Sequence, residues 1–124
     1  CYEADATTFD YRTAIEKENW KNRIDYLSID CEPPSVTFSA LKQFPFDDYR
    51  ASVITFEHDK YKDGNVIMDQ SREFLSDKGY VLVCKNVCNG MNPYEDWWVD
   101  PNVVKESVYD PFVCEDQEAR DIFI

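Results

Sequence analysis

Apolar side chains recur at Phe9, Ala14, Ile15 and Trp20, the spacing of a short helix over Phe9 to Trp20, with Thr8 or Asp10 placed to cap its start. The rhythm then changes. Ile24 to Asp30, IDYLSID, alternates from residue to residue with the β-branched and aromatic content of a strand. From Pro34 to Phe44 the apolar positions Val36, Phe38, Ala40, Leu41 and Phe44 return to three-to-four-residue spacing. That segment predicts a second helix, with proline in its first turn and Pro45 as its stop. Ser52 to His58, SVITFEH, is a continuous apolar run rich in β-branched residues, as in a strand covered on both faces. A turn at Lys62-Asp63-Gly64 leads to a third helix over Val66 to Lys78, with Val66, Ile67, Met68, Phe74 and Leu75 mostly on one face and Gly79 as its stop. Tyr80 to Val87 is a further strand, Asn89 to Pro93 a turn, and Glu95 to Asp100 a short aromatic strand that pairs back antiparallel. A helical turn is expected after Pro101, and Ile122, Phe123 and Ile124 at the end need something to pack on.

Helix, strand, helix, strand, helix, strand, strand is the order of an α/β fold. Its sheet is mostly parallel with one antiparallel strand, joined by right-handed crossovers and sandwiched as the middle of three layers. Residues 1–124 form one domain in this reading, since the length suits only one.

Charge narrows the partners. With 13 Lys+Arg against 25 Asp+Glu the net charge is −12, which repels phosphate backbones and anionic headgroups, so neither nucleic acid nor a membrane is expected. Hydrophobic residues at 44% and aromatics at 15% suffice for a core. No apolar run approaches the roughly 18 to 20 residues that cross a bilayer, and the start CYEADATT lacks the features of a signal peptide. Cys1, Cys31, Cys84, Cys88 and Cys114 are odd in number and fit reduced thiols better than a disulfide framework. The expected compartment is therefore the cytoplasm. A mature lipoprotein would also begin with cysteine, but an exported protein would pair its other cysteines.

The stretch IDYLSIDCEPPSVTFSALKQFPFDDYRASVITFEHD, followed by SREFLSDKGYVLVCKNV and EDWWVD, resembles the C-terminal half of an FkbM-type S-adenosylmethionine-dependent methyltransferase, over roughly residues 8 to 100. The resemblance implies the C-terminal half of a doubly wound, Rossmann-like sheet. Its strands would be the family's four (Ile24 to Asp30), five (Ser52 to His58), six (Tyr80 to Val87) and seven (Glu95 to Val99), in the order four, five, seven, six. It also implies S-adenosylmethionine as cofactor and a hydroxyl on a small metabolite or sugar as acceptor. Two departures stand out. The family's Asp-x-Glu-Gly appears as Asp30-Cys31-Glu32-Pro33, a rigid proline in place of a flexible glycine. Gly64, Gly79 and Gly90 are the only glycines, and none has the G-x-G spacing that would cradle the cofactor, so the chain is not expected to bind it alone. The first of the four strands is left at an edge, so self-association, a partner that completes the sheet, or cover from the N-terminal segment is expected. The alternative is a non-catalytic α/β interaction module that self-associates through that edge.

Ligands in open α/β sheets sit beyond the carboxyl ends of parallel strands, which here carry Asp30 and Glu32, then Glu57, His58 and Asp59. By resemblance Asp30 and Glu32 lie at the cofactor's reactive end, with Asp30 also binding it, and Glu57 and His58 on the acceptor side. A histidine flanked by carboxylates suits a base. The plainer reading stays open: acidic residues at strand ends also serve as helix caps or solvated charges, and a strand-end histidine can simply be hydrogen-bonded. No metal site is expected, because no D-x-D-x-D-G loop or H-x-x-x-H pair occurs. Cys84 and Cys88 read as buried small hydrophobes, and Trp97 and Trp98 as facing opposite sides of their strand.

Overall fold

A computed structural model of the chain describes residues 1–123. Four strands form the body of its sheet: β1 (Arg23–Ile29), β2 (Arg50–Glu57), β3 (Val81–Asn89) and β4 (Asn92–Val99), with the two-residue β5 (Cys114–Glu115) added at one edge. The spatial order is β1-β2-β4-β3-β5. β1 is parallel to β2, β4 is antiparallel to both β2 and β3, and β5 is parallel to β3. Four strands thus run one way and β4 alone runs back. The order of the first four is the one expected, while β5 is too short to leave a periodic signal.

β3 and β4 extend into what the sequence marked as a loop and meet in a two-residue turn at Gly90 and Met91. Both have positive φ (59° and 68°), the left-handed geometry that matches the twist of a tight hairpin. The Glu118 carboxylate accepts the N–H groups of Gly90 and Met91, fixing the turn from the C-terminal segment.

Helices α1 (Tyr11–Lys17), α2 (Pro34–Gln43), α3 (Lys60–Asp63) and α4 (Val66–Asp77) precede the hairpin, and α5 (Glu106–Tyr109) follows it. Asp10 caps α1 by accepting the Thr13 N–H at 3.0 Å. Trp20 lies beyond the end of α1 and is 57% exposed, because the chain turns through a left-handed Asn19 before β1. Val66 is likewise exposed at the first position of α4.

One face of the sheet packs Ile29, Ile54, Phe56 and Trp98 against Leu41 of α2, Leu75 of α4 and Ile15 of α1. The other gathers Val83, Cys84, Val87 and Val99 beneath Tyr109, Phe112 and Ile122. Neighbouring Trp98 and Trp97 therefore face opposite sides, and Trp97 stacks on Phe123 with ring centroids 5.7 Å apart. The layer on that second face is not a set of full helices but the irregular C-terminal segment. Expected packing of Ile124 lies outside the described residues. At the far edge, β1 has no backbone partner on its outer side among the described residues, and Tyr26 there is 56% exposed. No helix among them is long and apolar enough to cross a membrane.

Candidate functional site at the carboxyl edge of the sheet

Side by side, β1 and β2 deliver Asp30 and Glu57 to the same edge, since their parallel register pairs Ile29 with Phe56. The chain then departs in two ways. After Asp30 it passes Cys31, whose N–H and C=O both engage the Thr37 hydroxyl (3.1 and 2.6 Å), and reaches Glu32 and a cis bond to Pro33. After Glu57 it is clipped to β4: the N–H groups of His58 and Asp59 both donate to the Tyr94 carbonyl, at 2.7 and 2.9 Å. Asp59 takes left-handed φ 46° to turn into α3, a conformation that aspartate tolerates better than most side chains.

The result is a ring of acids. Single oxygens of Glu32, Glu57 and Asp59 lie within 4.8 Å of one another. Antiparallel pairing sets Glu95 of β4 directly beside Glu57. Burial, hydrogen bonds that the protonated Glu57 carboxyl donates to Asp30 and Asp59, and the charges of both push Glu57 up to about 8. Asp59 is raised chiefly by burial, with the Glu32 charge adding to it and Lys62 opposing. Burial also raises Glu95, against a hydrogen bond donated by the Trp97 indole N–H. Lys62 supplies a positive counterpart from α3, its Nζ 3.2 Å from Glu32. Beside the ring opens a cavity of about 240 Å3 lined by Glu57, Asp59, Tyr61, Asn89, Asn92 and Tyr94, all able to hydrogen-bond a ligand.

His58 is turned the other way. It is fully buried, and its Nδ1 accepts the Lys60 N–H at 3.1 Å, so the imidazole proton belongs on Nε2, which faces Asp96 Oδ1 at 3.3 Å. Asp96 is itself gripped by Arg72 of α4, through Nε at 2.7 Å and Nη2 at 2.9 Å, and by the Asn86 N–H at 2.8 Å. Burial works against the Asp96 charge, yet His58, Arg72 and Asn86 outweigh it and hold the carboxyl below its usual range. Asn86, in left-handed conformation on the irregular stretch of β3, passes the network to Asp116. These groups tie α4, β2, β3, β4 and the C-terminal segment together inside the protein. His58 thus contributes to the support of the edge, while Glu57 and Asp59 on either side of it face the cavity.

Asp30, Glu32 and Glu57 are therefore brought together, and His58 is not among them. Glu95, Asp96 and Arg72 were not singled out from the sequence. The pattern EDWW offered a hint for the first two, but Arg72 looks like any charge on a helix surface. Gly64 links α3 to α4, Gly79 follows α4 and Gly90 sits in the hairpin turn, so none of the three glycines lies directly between a strand and a following helix. Cys84 and Cys88 are buried, as expected of small apolar groups. Compared with protein-family models, curated proteins and solved structures, the chain finds no match in any of the three.

Proposed function

We propose that the chain forms the acceptor side of an S-adenosylmethionine-dependent methyltransferase resembling the FkbM type, acting in the cytoplasm on a hydroxyl of a small metabolite or sugar. The observation that carries this reading is the strand order β1-β2-β4-β3 with β4 alone reversed, and acidic side chains at the carboxyl ends of β1 and β2. In this reading the sheet is half of a Rossmann-like one, and β1 presents its free edge to the half that carries the cofactor. Asp30 directly follows β1, the strand that would adjoin that half. Glu57 is the group placed to exchange a proton with an acceptor hydroxyl, its carboxyl pushed up to about 8 by burial and the neighbouring acids. Glu32 and Asp59 complete the polar wall. These residues do not fit the whole cofactor, so a glycine-rich strand-turn-helix has to come from a further segment or from a partner.

The test is methyl transfer. The chain joined to a glycine-rich half should move labelled methyl groups to hydroxylated acceptors, and Asp30→Ala and Glu57→Gln should each lower the rate by roughly 100-fold or more if they act as assigned. A joined protein that binds no S-adenosylmethionine would remove the proposal. The unpaired outer edge of β1 favours a second reading, an interaction module that adds a strand from another copy.

A further inference from the structure

β3 and β5 run parallel with Cys84 directly opposite Cys114, and Lys85 opposite Glu115. Neighbouring strands lie about 4.8 Å apart, inside the span of about 4.4–6.8 Å between the Cα atoms of disulfide-bonded cysteines. The two side chains pack in the same apolar cluster, and the Cys84 Sγ–H reaches the Phe112 carbonyl at 3.4 Å. The other cysteines are placed differently. Cys31 follows β1 and packs in the cluster on the opposite face, Cys1 is exposed at the N-terminus, and the Cys88 thiol donates to the Asn86 carbonyl at 3.2 Å. Cys84 is 1% exposed, so an oxidant in solution meets Cys114, which is partly open, and not Cys84.

Beyond methyl transfer, and independently of it, we propose that Cys84 and Cys114 form an oxidative modification site, closing to a disulfide with a low-molecular-weight disulfide such as oxidised glutathione as the oxidant. The Cys114 thiolate attacks one glutathione sulfur, forming a mixed disulfide and releasing one glutathione thiol. The Cys84 sulfur then attacks Cys114, its proton leaving with the second glutathione thiol. Two protein thiols are oxidised and one glutathione disulfide becomes two thiols. Burial pushes Cys84 up to about 12, so the second step is the slow one.

The cross-link acts where the C-terminal segment meets β3. β5 is two residues long and carries the Lys85 to Glu115 ion pair; beyond it the segment is joined to β3 by the Asp116 N–H to Lys85 carbonyl bond at 3.0 Å, the Cys88 N–H to Gln117 carbonyl bond at 2.8 Å and the Asn86 amide to Asp116 bond at 3.0 Å. Glu118 of the same segment fixes the β3–β4 turn, next to Asn89 and Asn92 of the acidic cavity. A bond from Cys84 to Cys114 therefore holds one wall of that cavity through the C-terminal segment.

The experiment treats the full chain with oxidised glutathione, blocks remaining thiols, and maps peptides by mass spectrometry. The expected result is a peptide pair joined through Cys84 and Cys114, two hydrogens lighter than the reduced pair. The melting midpoint should rise by about 5–10 °C, reversed by dithiothreitol. Cys88→Ser should keep both effects and Cys114→Ser should lose both, while folding normally because Cys114 is partly exposed. Linkage of Cys84 to Cys88, a mixed glutathione disulfide that persists on Cys114, or cross-linking that leaves the midpoint unchanged would each overturn the proposal.

Discussion

Replacing Arg72 with methionine keeps most of the side chain's apolar stem but removes the cation that holds Asp96. Asp96 is fully buried, and the guanidinium reaches both its oxygens, at 2.7 and 2.9 Å. Without it the carboxylate keeps only the Asn86 N–H and the approach of His58. Stripping one partner from a buried ion pair costs about 3–5 kcal/mol, a large share of the roughly 5–15 kcal/mol that holds a domain together. The effect has a definite dependence on pH. In the wild-type protein Asp96 is depressed below its unfolded-chain value. Its stabilising share is thus complete above the ordinary carboxylate range and is lost as pH falls through the lower folded value. In the variant burial prevails, the folded value rises above the unfolded one, and stability is lost as pH climbs. The gap between the two proteins is therefore widest near pH 7 and narrows toward about pH 4. Urea unfolding followed by tryptophan fluorescence at both pH values measures it. A deficit under about 1 kcal/mol at neutral pH, or one that is the same at both, would refute the claim that this pair joins α4 to the sheet.

Glu57→Gln tests the crowding of acids at the edge. The folded value of about 8 lies above the unfolded one, so the wild-type protein loses stability as pH rises toward and through about 8. The variant should match it near pH 5 and exceed it by about 1 kcal/mol at pH 9, after discounting the unscreened shift for the part-exposed side chain. Tyr26→Lys places a charge on the open strand, and light scattering should find a concentration-dependent dimer in the wild-type protein and a monomer in the variant. Trp98→Ala empties the largest fully buried position and should cost about 3–5 kcal/mol in denaturant, against under 1 for Trp20→Ala at its exposed site.

The first four strands were legible because each carries its own signal: β1 alternates, β2 has the β-branched and aromatic run Val53 to Phe56, and the β3–β4 pair is separated by a glycine turn; their spatial order was an implication of the resemblance and not of any periodicity. The second-face layer was not legible, because residues 101–123 bury isolated side chains such as Ile122 and Phe112 through short turns that have no period. Asp30, Glu32 and Glu57 could be found as acids at strand ends. Their mutual distance could not, since it depends on the register of β1 on β2 and on the turn at Asp59. His58 shows the limit most clearly. Alternation along β2 would send Glu57 and His58 to opposite sides, but only the structure shows that the His58 side is the interior and that Arg72 and Asp96 wait there.

The central claim is that this chain holds an acceptor wall and lacks an adenosyl cradle, and calorimetric titration with S-adenosylmethionine tests it most directly. The account predicts no binding heat from these 124 residues alone and micromolar binding once a glycine-rich half adjoins β1. Micromolar binding by the chain by itself, or silence from the joined protein, would contradict it.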